Sequence, residues 1–103
     1  SGIYIIYTGI EELHQEAFGQ IEIFPNPNAG QFSLEVRKSA GQVEIEDLEI
    51  WDLEGRFIKK VLVNYRGTKY QTMLDLSELQ SGIYLLKLKN NKEMALKKFI
   101  IQK

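Results

Sequence analysis

Few residues in this chain could do chemistry, and their spacing argues against each chemistry in turn. His14 is the only histidine. Spacing places no Ser, Cys or metal-ligand partner beside it, so it reads as a surface histidine. The carboxylates Glu44, Glu46, Asp47, Glu49, Asp52 and Glu54 are dense enough to raise the question of calcium. Calcium takes about six to eight oxygens, usually from a loop with several Asp or Asn. Most acids here are Glu spaced by apolar residues, which reads as a solvated strand face. A glycosidase carboxylate pair needs a cleft, which a small sandwich rarely offers outside its loops. Gly55 and Gly82 stand alone, so there is no glycine-rich phosphate loop. Cysteine is absent, which excludes disulfide scaffolds, Cys-based zinc sites and thiol nucleophiles. Trp51, Tyr65, Tyr70 and Tyr84 are the candidates for a sugar platform. Trp51 and Tyr84 fall in the apolar pattern and are expected in the core; Tyr65 and Tyr70 flank the loop Arg66-Gly67-Thr68-Lys69 and suit a platform better. No nucleophile–base pair emerges, and neither an enzyme nor a cofactor is expected.

The elements that would position any site are those of one domain, since 103 residues suffice for one and not two. Hydrophobic residues make up 44% and charged residues 26%, ordinary proportions for a folded globular chain. No apolar stretch approaches about 18 residues, so neither a membrane-spanning helix nor direct membrane insertion is expected. The N-terminus lacks the charged and apolar regions of a signal peptide. Its opening in mid-pattern, Ser1-Gly2-Ile3-Tyr4, favours a piece of something longer. Net charge is −1. Residues 1–55 hold 11 acids against 2 bases, and residues 56–103 hold 3 acids against 11 bases. Two arrangements fit: weak head-to-tail self-association of an acidic and a basic half, or pairing of strands from the two halves with their charges facing across the sheet. The second is the simpler. The lysines are scattered without interleaved aromatics, which argues against a nucleic-acid surface.

Short strands punctuated by turn residues predict an all-β fold. Ile21–Phe24 is a strand, stopped by Pro25-Asn26-Pro27-Asn28-Ala29-Gly30. Gln31–Val36 alternates Phe32, Leu34 and Val36 with polar residues. In Val43–Trp51, Val43 and Ile45 share one parity and Leu48 and Ile50 the other. An unbroken strand cannot put all four on one face, which predicts a bulge or short break at Glu46-Asp47. Asp52-Leu53-Glu54-Gly55 has the Asp and Gly of a type I turn and joins this strand to Phe57–Asn64 as a hairpin. Phe57, Val61 and Val63 on one side with Ile58 and Leu62 on the other suggest a central strand. Tyr70–Leu76 and Gly82–Lys89 follow. Asn90-Asn91 reads as a two-residue hairpin turn, and a seventh strand spans about Glu93–Gln102.

Residues 1–20 differ. Ser1–Tyr7 is β-prone, and Thr8-Gly9-Ile10-Glu11 resembles a capping box with Ile10, Leu13 and Ala17 on one side. Ser1-Gly2-Ile3-Tyr4-Ile5-Ile6 echoes Ser81-Gly82-Ile83-Tyr84-Leu85-Leu86, consistent with the end of a preceding domain. Residues 1–20 are thus expected to be a linker or such a remnant, and 21–103 the domain proper. The last strand, Met94 to Lys103, is either locked into a sheet or displayed to be read, because chain ends otherwise fray.

Three segments together resemble one family, the type A C-terminal sorting domain of type IX secretion cargo. They are Phe24-Pro25-Asn26-Pro27-Asn28-Ala29-Gly30-Gln31-Phe32; the hairpin Leu48–Lys60; and Leu74–Lys87 followed by Lys97-Lys98-Phe99-Ile100-Ile101-Gln102. The resemblance covers about residues 20–103. Lys103 lies one residue past the family's usual ending. What the resemblance implies is a seven-stranded Ig-like antiparallel β-sandwich, matching the strand count. It implies a secretion signal that directs an upstream cargo from the periplasm through the outer-membrane translocon, with outer-membrane shuttle and sortase proteins as further partners. A surface sortase then cuts the domain away as the cargo is anchored to lipopolysaccharide or released, at the cell surface or outside the cell. By resemblance, the recognition signal falls on Lys97, Lys98, Phe99, Ile100, Ile101 and Gln102. The family's structural motif falls on Pro25, Asn26, Pro27, Gly30, Gly55, Gly82 and Tyr84. Gly82 is expected to permit a tight turn and Tyr84 to pack in the core. A sortase needs an exposed, flexible segment, and the candidate region is Thr8–Gln20: Thr8, Gly9, Ile10, Ala17, Phe18, Gly19 and Gln20. The competing reading is a carbohydrate-binding or adhesive sandwich appended to a secreted enzyme.

Overall fold

Alternation of apolar and polar residues produces seven strands in the computed structural model, which describes residues 18–103. In chain order they are β1 (Gln20–Phe24), β2 (Gln31–Arg37), β3 (Val43–Asp52), β4 (Phe57–Gly67), β5 (Lys69–Asp75), β6 (Gly82–Lys89) and β7 (Met94–Ile101). They form two antiparallel sheets, β1-β2-β5 and β4-β3-β6-β7, packed as the expected Ig-like sandwich. Phe32, Leu34 and Val36 from one sheet share a core with Leu48, Ile50, Leu86, Leu88 and Phe99 from the other. Each such side chain contributes roughly 1.5–3 kcal/mol on full burial. Phe18 is also buried in this core, so the described fold includes residues ahead of Ile21. The β-prone start, the capping box, the internal echo and His14 lie outside the described residues.

The phase change in β3 is present. Register passes from Ile45↔Tyr65 to Asp47↔Leu62, two residues of β3 against three of β4. Asn64, within that step, has φ 50°, a left-handed conformation that Asn tolerates. Val43, Ile45, Leu48 and Ile50 are consequently all buried despite their opposite parities. The Asp52–Gly55 turn also forms, closed by the Gly55 N–H donating to the Asp52 carbonyl at 3.2 Å.

Three expectations are corrected. Among the described residues β4 is an edge strand, not a central one. A second register shift, beside Ile58, turns Phe57 outward while Ile58, Val61 and Val63 pack on the core. Phe57 and Leu62 are 48% and 72% exposed, so apolar residues on both faces marked one buried and one open face. The β6–β7 connection is a four-residue loop, since Lys89 pairs with Met94. The Asn90 N–H donates to the Glu93 carbonyl at 3.0 Å, and Asn90 Oδ1 accepts from the Lys92 and Glu93 N–H groups. Asn90 therefore acts through its side chain rather than through positive φ. The acidic face of β3 is not solvated throughout. Glu44 and Glu46 are exposed, but Asp47 and Glu49 are buried on the outer face of the sheet.

Lysines of the neighbouring strands explain that burial. Glu49 lies between Lys60 of β4 and Lys87 of β6, and Asp47 lies opposite Lys89. Lys60 reaches Asp47 at 3.7 Å and Lys89 reaches Glu49 at 3.6 Å. Their aliphatic stems cover the central strand while their charges answer its acids. Among the described residues the acids of β3 thus face the lysines of β4 and β6 across the sheet.

Candidate functional site

β7 puts its residues to two uses. Ala95, Phe99 and Ile101 point into the core; Leu96, Lys98 and Ile100 lie on the other face. Phe99 is wholly buried, its ring 4.8 Å from that of Phe32 and 5.8 Å from that of Tyr84. Lys97 is half-buried opposite Leu86, whereas Lys98 is exposed opposite Leu85. Ile100 stands half-buried beside Ile83.

Among the described residues β7 is the last strand of its sheet, and its end is held from the open side by the β1–β2 loop. The Asn28 N–H donates to the Ile100 carbonyl at 3.0 Å, and the Asn28 carbonyl accepts from the Gln102 N–H at 2.7 Å, forming a parallel bridge. Asn26 Oδ1 accepts from the Ile100 N–H at 2.9 Å. The loop is itself braced by the buried Asn28 side chain. Its Nδ2 donates to the Pro25 carbonyl at 3.1 Å and its Oδ1 accepts from the Gly30 N–H at 2.8 Å. The Phe24–Pro25 and Asn26–Pro27 peptide bonds are both cis.

Gly30 then seats the loop on the β5–β6 connection. Its φ is 113°, and a Cβ there would lie 2.7 Å from Ser77 Cα. The Gly30 carbonyl accepts from the Leu76 N–H at 2.6 Å. The same connection receives the chain end. The Lys103 N–H donates to Ser81 Oγ at 3.0 Å, and Lys103 Nζ donates to the Ser77 carbonyl. Tyr84 packs in the core as expected, and its hydroxyl donates to the Gln80 carbonyl at 2.7 Å, the back-bond of a tyrosine corner. Pro25, Asn26, Pro27, Gly30 and Tyr84 are therefore gathered around Phe99–Gln102.

Gly82 and Gly55 have other settings. Gly82 does not adopt positive φ, and a Cβ on it would meet the Tyr84 ring at an ordinary 3.5 Å, so no tight turn demands glycine there. Gly55 closes the β3–β4 turn, whose Asp52, Leu53, Glu54 and Arg56 face the 78–84 segment across a groove of about 630 Å³. In that groove Asp52 accepts from the Arg56 N–H at 2.8 Å, the Glu54 N–H at 3.0 Å and Arg56 Nε at 2.9 Å. These bonds, the Arg56 backbone N–H foremost, hold its carboxyl below the usual range. Such a group is a poor general acid at neutral pH.

The remaining candidates separate clearly. Phe18 is buried, Gly19 has φ 87° against the Arg37 carbonyl, and Gln20 pairs with Arg37. Phe18 is thus packed in the core just ahead of the sheet and Gln20 begins β1, while Thr8, Gly9, Ile10 and Ala17 lie outside the described residues. Trp51, expected in the core, instead lies half-buried on the outer face. Its Nε1 donates to Glu49 at 2.9 Å, Phe57 meets it edge-on, and Lys87 Nζ stands 5.6 Å over its ring. Tyr65 and Tyr70 meet at 52° rather than as one flat surface, and the Tyr65 hydroxyl donates to the Lys69 carbonyl. That pair closes the side of the sandwich away from β7. From sequence, Asn28 is expected only as part of the turn that stops β1, and Ser77 and Ser81 have no expected role at the site. Asn between prolines and ahead of Gly is a visible signal for side chains that replace backbone partners.

A comparison with protein families finds that the sequence model of one family, described as secretion system C-terminal sorting domain, matches residues 22–102. No curated protein matches the chain.

Proposed function

Because the chain belongs to the secretion system C-terminal sorting domain family, and is thus a C-terminal sorting signal for type IX secretion, we propose that it carries an upstream cargo from the periplasm through the outer-membrane translocon. The family match over residues 22–102 carries this reading. The translocon and its outer-membrane shuttle recognise the end of β7. Lys98 and Ile100 are presented on the outer face, with Gln102 and Lys103 beyond them. Lys98 attracts an acidic receptor surface at long range. Phe99 and Ile101 are buried, so they hold the strand rather than touch the receptor. A surface sortase then cuts upstream, and the cargo is joined to lipopolysaccharide or released. A protease cleft needs exposed backbone. Phe18 is buried in the core and β1 begins at Gln20, so the cut is assigned to the stretch from Thr8 to Ala17.

Truncating β7 would remove core residues together with the signal, so point variants are the cleaner test. The full chain, fused behind a periplasmic reporter in a secretion-competent host, is compared with its Lys98→Glu and Ile100→Asp variants. The reading expects folded variants that stay in the periplasm. Export of both at the level of the unaltered chain would overturn it. Mass spectrometry of the exported reporter's new C-terminus is expected to find the cut ahead of Phe18.

A further inference from the structure

The signal and the Pro-Asn-Pro-Asn loop lie at opposite ends of the described chain, yet Asn26 and Ile100, 74 residues apart, share a hydrogen bond. We propose that Asn26 and Asn28 are positioning residues for the sorting signal, so that what is read is a composite of loop and strand rather than the terminal peptide. The inference rests on the sorting function above and extends it to residues outside β7.

A strand with one side open has every reason to fray. β6 secures one side of β7 but leaves alternate N–H and C=O groups of its other side to be satisfied elsewhere. At Ile100 and Gln102 the loop supplies those partners: a backbone N–H, a backbone carbonyl and the Asn26 amide oxygen. Prolines suit the task because neither Pro25 nor Pro27 carries an N–H to compete or to be left unpaired. Asn28 turns the loop back on itself through Pro25 and Gly30, so its backbone arrives in the register of a neighbouring strand. Ile100 bonds to the loop on its open side and stands beside Ile83 on its outer face. A receptor meeting Ile100 therefore meets Asn26 as well.

Asn26 is exposed, so replacing it disturbs no core packing and leaves every residue of β7 unchanged. Asn26→Ala deletes the oxygen that accepts from Ile100. Asn26→Asp keeps an acceptor there. The full chain is carried behind a periplasmic reporter and also purified for amide hydrogen exchange. Asn26→Ala is expected to speed exchange at Ile100 by roughly five- to tenfold, the effect of losing one hydrogen bond, with Leu86 and Leu88 unchanged. Export is expected to fall by a similar factor, and Asn26→Asp to restore both. Asn28→Ala, which frees both the Gly30 N–H and the Pro25 carbonyl inside the loop, is expected to do the same at Ile100 and Gln102. Normal export of Asn26→Ala with Ile100 opened would overturn the positioning role while leaving the sorting function standing. Reduced export with Ile100 protection unaltered would overturn it too, because Asn26 would then act by another route. Retention of the unaltered chain in the periplasm would instead remove the sorting reading, and the positioning role with it.

Discussion

Phe99→Ala separates the two uses of β7 most sharply. The ring is wholly buried, touches Phe32 at 4.8 Å and Tyr84 at 5.8 Å, and fills the core between the two sheets. Truncating a buried Phe costs about 3–5 kcal/mol through lost transfer energy and the cavity left behind. Two aromatic contacts in one place put the value toward the upper end. A domain of this size has about 5–15 kcal/mol in hand, so the variant remains folded but loses a large share of its stability. Urea unfolding followed by fluorescence is the assay. A loss of about 4 kcal/mol on a slope of about 1–1.5 kcal/mol/M lowers the midpoint by roughly 3 M with the slope unchanged. Phe99→Leu should lower it far less. In secretion, Phe99→Leu should be exported and Phe99→Ala degraded or retained, following stability rather than side-chain identity. A Phe99→Ala variant within about 1 kcal/mol of the parent would refute the core placement. An equally stable but unexported Phe99→Leu would show that the receptor reads the ring itself.

Other substitutions test the supporting geometry. Gly30→Ala forces a side chain into φ 113° and against Ser77 Cα, so it should cost more than about 2 kcal/mol and raise exchange at Ile100, measured by urea unfolding and hydrogen exchange. Burial pushes the Glu49 carboxyl up, but the Trp51 ring N–H with Lys89 and Lys87 outweigh it and hold Glu49 below its ordinary 4.5. Asp52 is held below its ordinary 3.8, chiefly by the Arg56 N–H. Groups lowered by folding stabilise above their ordinary values and lose that stabilisation as pH falls through the folded ones. Stability should therefore be level from pH 7 to about 5 and fall below about 4. Trp51→Phe removes the donor to Glu49 and should move the acid unfolding midpoint to higher pH, seen by circular dichroism.

Local pattern made much of the fold legible, while long-range partners were hidden. The parity clash between Ile45 and Leu48 located the β3 break, and Asp52 with Gly55 located the hairpin turn, because both depend on neighbours in sequence. Phe57 and Leu62 misled because hydrophobicity does not say which face is covered; the bulge at Ile58 decides that. Trp51 sat in the apolar pattern, yet its N–H needed Glu49, and the lysines of β4 and β6 made the outer face hospitable to both. At the site, Lys97–Gln102 and Pro25–Gly30 were each readable as motifs. That Asn26 and Asn28 close on Ile100 and Gln102 depends on the sheets bringing the β1–β2 loop beside β7, which no local spacing encodes.

Fractionation of one fusion tests the central claim most directly: the full chain behind a periplasmic reporter, in a secretion-competent host and in the same host lacking the outer-membrane translocon. The account predicts reporter outside the first strain and confined to the periplasm of the second. Reporter distributed alike in the two strains would contradict it.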